Sequence, residues 1–212
     1  MRSGQAFGEL VFPHRCLGCG LLGEQLCTRC LVAWNCLPLL THVNELVVYS
    51  AIMYSPVASR VLLAAKENGI LTADNLIVDA MRQAIARPRM DYGTSPLLVP
   101  IPSQRHAIRK RGRDFLGEIT TRVAGLEGYS TRDLLLHRRR IKDQSILDAQ
   151  SRHSNLHNSL VLKENILRVR EAILIDDLVT TGATLSEASR ALKEAGFSVL
   201  CAVTACVAQP LR

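Results

Sequence analysis

Aromatic residues are scarce in this chain of 212 residues, and it has no long hydrophobic run. Phe, Trp and Tyr make up only 4% of the sequence. This disfavours a conventional reader of single-stranded nucleic acid, because such proteins stack bases on aromatic side chains. No apolar run approaches the roughly 18–20 residues that a membrane-spanning helix needs, and the first residues lack the apolar stretch and cleavage site of a signal peptide. We therefore expect a cytoplasmic protein without membrane insertion.

The composition is that of a globular protein, with 48% hydrophobic and 21% charged residues. Its net charge of +7 is concentrated in one region. Residues 103–142 carry eleven Lys and Arg against four Asp and Glu, an excess equal to the net charge of the whole chain. We expect an anionic partner to contact this region. The alternative is a solvated charged surface, which is what most charge runs form.

Four of the seven cysteines form the pattern C-x2-C-x7-C-x2-C near the N-terminus, namely Cys16, Cys19, Cys27 and Cys30. Two such pairs present four thiolates to one tetrahedral ion, and four protein ligands leave no open position for a substrate, so the pattern suits structural Zn2+. The alternatives are two disulfides, which a cytoplasmic location disfavours, and redox-active thiols. We predict a zinc-knuckle segment over residues 1–40 that needs the metal to fold.

The remainder, residues 41–212, alternates between helical and strand periodicity. Apolar spacing predicts helices over residues 57–69, 76–87, 116–123 and 185–195. The second helix is expected to stop before Pro88. Apolar runs predict buried strands at residues 97–101, at 172–175 and from 197 onward. This alternation predicts an α/β domain, a parallel sheet with helices on both faces that binds its ligands beyond the carboxyl ends of the strands.

The most informative segment runs from Asp176 to Thr184 with the sequence D-D-L-V-T-T-G-A-T, between a predicted strand and a predicted helix. Backbone N–H groups at the helix start and three threonine hydroxyls are donors for a phosphate, and Gly182 permits close approach. The two carboxylates suit sugar hydroxyls or a hydrated Mg2+ instead. Together they indicate a phosphorylated ribose. The alternative is that the acids only end a strand and cap a helix, with the threonines in a turn.

This ordered motif resembles the phosphoribosyl-pyrophosphate motif of type I phosphoribosyltransferases. From about Cys16 to the C-terminal strand, the chain resembles the ComF branch, which comprises competence-associated proteins with an N-terminal zinc knuckle. The similarity includes Val99-Pro100-Ile101-Pro102 before basic residues, Arg111-Gly112, and a helix ending in Lys66 and Gly69. The resemblance implies a type I phosphoribosyltransferase-like fold that binds phosphoribosyl pyrophosphate with Mg2+.

The resemblance also implies roles for individual residues. Those expected to bind the ribose and its 5′-phosphate are Asp176, Asp177, Thr180, Thr181, Gly182, Ala183 and Thr184. Those expected near pyrophosphate, or in a mobile hood over residues 138–155, are Arg105, Arg109, Lys110, Arg111, Arg138, Arg139, Gln144, Arg152 and Asn155. The chain departs from the family in two places: Arg113-Asp114-Phe115 stands where F-N-Q is usual, and Leu160 stands where an aromatic often closes the hood.

Two functional hypotheses follow. A transferase would displace pyrophosphate from the anomeric carbon, which needs charge neutralisation and water exclusion more than a protein nucleophile. The sequence does not identify its acceptor. The second hypothesis is a non-catalytic DNA-uptake factor that retains the pocket and uses its basic residues on single-stranded DNA or a helicase partner.

Overall fold

A computed structural model describes residues 15–92, 95–138, 158–163 and 171–208 of the chain. The strands in these ranges are β1 (Leu39–Val43), β2 (Leu46–Met53), β3 (Leu97–Pro100), β4 (Leu135–His137), β5 (Leu160–Leu162), β6 (Glu171–Val179) and β7 (Ser198–Val207). The helices are α1 (Thr28–Ala33), α2 (Pro56–Lys66), α3 (Leu71–Tyr92), α4 (Arg105–Arg111), α5 (Phe115–Glu127) and α6 (Ala183–Glu194). None of these helices combines the length and the hydropathy that a bilayer crossing requires.

The main sheet has five strands in the order β1-β2-β7-β6-β3. Strands β2, β7, β6 and β3 are parallel, whereas β1 pairs antiparallel with β2 at one edge. Consecutive residues of the central strands, Ala172–Ile175 in β6 and Cys201–Val207 in β7, are buried, so both faces of the sheet are covered. The predicted α/β architecture is confirmed, with an antiparallel edge strand that the apolar pattern did not predict.

Helices α3 and α6 belong to two crossover connections that run in opposite directions across the sheet. The connection from β2 through α3 to β3 crosses the sheet one way, and the connection from β6 through α6 to β7 returns the other way. Because such crossovers are right-handed, α3 and α6 lie on opposite faces. Helix α5 packs beside α3 and against β3 and β6. Strands β4 and β5 form a separate antiparallel pair, and β5 contacts α6.

The expected end of the second helix before Pro88 is wrong, because α3 continues to Tyr92 with Pro88 inside it. Proline removes one backbone donor and disfavours a helix interior. Contacts with the sheet hold the last turn in place here. Tyr92 Oη donates to the carbonyl of Leu200 at 3.2 Å, and Tyr49 Oη donates to Asp91 Oδ2 at 2.7 Å. Tertiary contacts therefore override the local signal.

The N-terminal segment packs directly on the rest of the chain. Trp34 is buried and belongs to the same hydrophobic core as the sheet and its helices. The Arg60 guanidinium on α2 donates to the carbonyl of Gly18 at 2.6 Å, and α1 contacts α2. A Cβ at Gly18 would collide with Cys30. The cysteine segment is thus fitted against α2.

Candidate functional site

The segment from β6 to α6 has the predicted strand-loop-helix arrangement. Strand β6 runs to Val179, residues 180–182 form a loop, and α6 begins at Ala183. Thr180 and Thr181 are exposed. The N-cap of α6 is Gly182, which has no side chain to occupy the first N–H groups of the helix. A helix N-terminus of this kind, with hydroxyls beside it, is a site for a phosphate.

Gly182 is required by its surroundings as well as by its own conformation. Its φ of 74° lies in the left-handed region. A Cβ at this position would overlap the side chain of Val43, at the end of β1. The turn after β1 is fixed to α6, because Asn44 Nδ2 donates to Ser186 Oγ at 2.8 Å. The β1–β2 turn therefore packs tightly against the loop that precedes α6.

The two adjacent acids at the carboxyl end of β6 have different partners. Asp177 is buried, and its Oδ2 lies 2.5 Å from Lys66 Nζ at the end of α2. Asp176 is partly exposed, and its Oδ1 accepts a hydrogen bond from the backbone N–H of Asp177 at 2.9 Å. One carboxylate is thus locked in an ion pair, while the other turns toward its own backbone.

Burial and the neighbouring charges shift the pKa values of these two acids in opposite directions. Burial raises the pKa of Asp176 well above its usual value, and the negative charge of Asp177 raises it further. Burial also opposes ionisation of Asp177, but the Lys66 ammonium lowers the pKa of that carboxyl below its ordinary value. The same ion pair raises the pKa of Lys66, against the effect of burial. The negative charge is therefore favoured on Asp177 over Asp176.

The basic residues after Pro102 do not act as one group. Arg111 is largely buried, and its Nε donates a hydrogen bond to Glu67 Oε1 at 2.9 Å, while its Nη2 lies 2.6 Å from the same oxygen in an ion pair. Lys110 is exposed and lies 3.9 Å from Glu67. Arg105 and Arg109 lie on α4 with exposed side chains. Of the four predicted pyrophosphate candidates on α4, Arg111 is thus already engaged by an acid.

A cavity of about 790 Å³ lies between α4 and β4 and collects three of the predicted cationic residues, Arg105, Arg109 and Arg138. His137 also lines it, and its Nε2 donates to the carbonyl of Pro102 at 2.8 Å. Among the described residues that line the cavity, none belongs to the segment 176–184. The basic residues therefore divide between this cavity and the Glu67 ion pair. Arg139, Gln144, Arg152 and Asn155 lie outside the described residues.

Arg113, the first residue of the unusual Arg-Asp-Phe sequence, has a structural role. Its guanidinium lies 2.8 Å from Asp74 Oδ2 on α3 and 2.9 Å from Glu118 Oε2 on α5, and stacks 5.5 Å from the centroid of the Phe115 ring. Asp74 is buried, so the pair compensates a carboxylate that would otherwise be costly to bury. The departure from F-N-Q thus supplies the partner of a buried acid.

Three acidic or basic residues that contact the site region were not assigned a role from the sequence: Lys66, Glu67 and Asp74. The resemblance to the ComF branch includes Lys66 but gives it no role. Their partners are 111, 44 and 39 residues away, so no local spacing reveals the pairs. The sequence signal for the first two residues is the charged pair Lys66-Glu67 near the predicted end of a helix.

The four N-terminal cysteines converge, as their spacing predicts. The thiol sulfurs of Cys16, Cys19, Cys27 and Cys30 all lie within 4.8 Å of one another, and those of Cys19 and Cys27 are 3.7 Å apart. Tetrahedral bonds of about 2.3 Å to zinc place sulfurs roughly 3.8 Å apart. All four cysteines are free thiols, so the alternative of two disulfides does not describe this structure. The cluster can hold a metal ion.

Backbone donors favour the thiolate form of Cys16, whereas burial and the other three thiols raise the pKa of Cys30 to about 12. Burial alone would raise the pKa of Cys16, but N–H groups of Cys27, Cys19 and Gly18 lower it to about 6. Thiolates are the form that binds metal. The donor set therefore fits a soft divalent ion such as zinc.

The raised pKa of Asp176 predicts a stability effect with a definite sign. The native state holds a proton there that the unfolded chain releases, so stability falls as pH rises from the ordinary value of 3.8 through the raised one. We expect Asp176→Asn to raise the free energy of unfolding at neutral pH, because the amide stays uncharged where the carboxyl would have to ionise against burial. It should have little effect at acidic pH, below the ordinary carboxyl pKa. Urea unfolding at both pH values checks this.

The matched control is Glu171→Gln, an exposed acid at the start of the same strand, which should leave stability unchanged. A loss of stability in Asp176→Asn at neutral pH would contradict the assignment of a raised pKa.

Comparison with known proteins supports the sequence interpretation. A family model described as the phosphoribosyl transferase domain matches residues 69–211, well over half of the chain. Competence protein F of Haemophilus influenzae (strain ATCC 51907 / DSM 11121 / KW20 / Rd) is 30% identical over 104 residues, covering 47% of this chain and 44% of that protein. The match thus spans less than half of that relative's length. With the family match, it confirms the resemblance to the ComF branch.

Solved structures show weaker likeness. An adenine phosphoribosyltransferase is 12% identical with a TM-score of 0.46, over 68% of this chain and 75% of that one. A glutamine phosphoribosylpyrophosphate amidotransferase from B. subtilis is 16% identical with a TM-score of 0.36, over 52% of this chain and 22% of that one. Because both TM-scores are below 0.5, the assignment depends on the family match and on the strand-loop-helix segment. On that basis, the chain belongs to the phosphoribosyl transferase domain family.

Proposed function

We propose that the chain binds phosphoribosyl pyrophosphate, or a related ribose phosphate, at the junction of β6 and α6. The observation that carries this proposal is the strand-loop-helix segment itself, in which Lys66 fixes the Asp177 carboxylate near the end of β6 and α6 follows with Gly182 as its N-cap. The helix start and the hydroxyls of Thr180, Thr181 and Thr184 would bind the 5′-phosphate. Asp176 and Asp177 would accept hydrogen bonds from the ribose hydroxyls.

The reaction that this site suits is transfer of the phosphoribosyl group, with pyrophosphate leaving the anomeric carbon. The Mg2+ that accompanies the substrate would neutralise the diphosphate oxygens and keep several water ligands. The chain's own part is to orient the ribose through the carboxylates and to present cations to the leaving group. Arg105 and Arg109 on α4 supply exposed cations beyond the carboxyl end of β3. The proposal assigns no residue to the binding of the acceptor nucleophile.

The N-terminal cluster, in this proposal, holds structural Zn2+ through Cys16, Cys19, Cys27 and Cys30. Four sulfurs complete a tetrahedral shell, which leaves no position for catalysis. We further propose that residues 1–40 form the zinc-dependent segment and residues 41–212 the ribose-phosphate-binding domain. Free thiols at metal-ligand distance suit a reducing compartment, which supports a cytoplasmic location.

A second candidate function is binding of single-stranded DNA during natural competence, alone or with a helicase partner. The similarity to Competence protein F suggests this role. The specific observation in its favour is the cavity that gathers Arg105, Arg109 and Arg138, apart from the described residues 176–184. Cations gathered in one cavity also suit a phosphate backbone.

The ribose-phosphate proposal predicts that the protein binds phosphoribosyl pyrophosphate in the presence of Mg2+, as measured by isothermal titration calorimetry. The double variant Asp176→Asn with Asp177→Asn should lose detectable binding, because each change removes the carboxylate charge and replaces one acceptor oxygen with an NH2 donor. Glu171→Gln in the same strand should bind like the wild type. Unchanged affinity in the double variant would show that these carboxylates do not form the site.

The DNA proposal predicts that single-stranded oligonucleotides bind with an affinity that falls steeply with salt, since each phosphate contact contributes about −0.7 to the slope of log K against log[salt]. Replacing Arg105, Arg109 and Arg138 together by Ala should weaken binding and reduce that slope. Fluorescence anisotropy across a salt series measures both. Binding that is insensitive to salt, or equal in the triple variant, would exclude this surface.

The metal proposal predicts one zinc ion per chain in the purified protein, measured by inductively coupled plasma mass spectrometry. A strong chelator should lower the melting temperature, because metal binding supplies on the order of 10–16 kcal/mol in small zinc peptides. Cys19→Ser should lose zinc, whereas Cys36→Ser, outside the cluster, should retain it. A protein that carries no zinc and shows the same melting temperature with chelator would contradict the site.

A further inference from the structure

Two consecutive residues at the C-terminal end of α2 contact two different parts of the site. Lys66 Nζ lies 2.5 Å from Asp177 Oδ2, at the carboxyl end of β6. Glu67 accepts a hydrogen bond from Arg111 Nε at the end of α4 and forms an ion pair with its guanidinium. Neighbouring residues of α2 thus join the ribose-phosphate loop and the basic helix, which are about 65 residues apart in sequence.

We propose that Lys66 and Glu67 are positioning residues, here called the α2 clasp, that set the ribose-binding carboxylate and the basic helix α4 in register with each other. The inference rests on the proposed function, because it assigns each half of the clasp to one part of the same substrate. Lys66 serves the ribose part, and Glu67 serves the pyrophosphate part.

The Lys66 half fixes a carboxylate that the fold buries. Asp177 has only 11% of its side chain exposed, so an uncompensated charge there would be strongly unfavourable. The ammonium of Lys66 engages Oδ2 and so holds the carboxylate in one orientation. Lys66 itself retains 32% exposure, so this cation lies at the edge of the site and not in the core. Arg113 and Arg111 cannot replace it, because Asp74 and Glu67 engage them.

The Glu67 half fixes a short helix that has few other anchors. Helix α4 spans Arg105–Arg111, and none of its residues is buried. It ends at Gly112 with a φ of 73°, so the chain turns sharply there. Arg111, at 14% side-chain exposure, is held by Glu67 through a hydrogen bond from Nε and an ion-pair contact from Nη2. This charge-assisted contact sets the orientation of α4 and hence the direction of Arg105 and Arg109.

The roles of Lys66 and Glu67 can be tested separately with two ligands, phosphoribosyl pyrophosphate with Mg2+ and ribose 5-phosphate. Calorimetry on the full zinc-loaded chain measures the affinity for each. Lys66→Met should weaken both ligands by about tenfold or more, the size expected for one charge-assisted hydrogen bond. Lys66→Arg should recover part of this loss. Glu67→Gln should weaken phosphoribosyl pyrophosphate by a similar factor and leave ribose 5-phosphate unchanged, since that ligand has no pyrophosphate.

The controls are Lys193→Met, an exposed lysine on α6, and Glu118→Gln, an acid that pairs with Arg113 outside the clasp. Both should bind the two probes like the wild type. If Lys66→Met does not fold, Lys66→Arg and Glu67→Gln decide the question. Wild-type affinities in these variants, or an equal loss of both probes in Glu67→Gln, would overturn the clasp while leaving the proposed function intact. A wild-type protein that binds neither probe would overturn both.

Discussion

The ion pair between Lys66 and Asp177 connects the helical and sheet parts of the site. It joins the end of α2 to the end of β6, across 111 residues of sequence. Because Asp177 is buried, its charge persists only with a cation beside it. That requirement fixes where α2 must end relative to the sheet. It also keeps the negative charge on Asp177, since Asp176 has its pKa raised by burial and by the neighbouring carboxylate.

The positive charge of the chain is distributed among distinct structural tasks. Arg111 and Arg113 are held by Glu67 and Asp74, so each basic residue compensates an acid on the α2–α3 side. Arg105, Arg109 and Arg138 face a cavity instead. The excess over residues 103–142 therefore combines cations that hold the fold together with cations available to an anion. One function assigned to the whole basic segment would therefore not distinguish these two roles.

Local sequence signals predicted the parts of the molecule that short-range chemistry determines. The strand before Asp176, the helix after Gly182 and the four converging cysteines all follow from spacing within a few residues. The β1–β2 hairpin was missed because β2 is almost entirely buried and shows no alternation, while its turn depends on Asn44 in a left-handed conformation. Pro88 misled the prediction because contacts from Tyr92 and Tyr49 hold the helix beyond it. The partners of Lys66, Glu67 and Asp74 are set by tertiary packing, which no local pattern encodes.

A crystal structure of the zinc-loaded protein with ribose 5-phosphate tests the central claim most directly. The account predicts the phosphate within hydrogen-bond distance of the first N–H groups of α6. It also predicts the ribose hydroxyls on Asp176 and Asp177, with Lys66 still paired to Asp177. A ligand seated instead in the cavity between α4 and β4, with the start of α6 empty, would contradict the account.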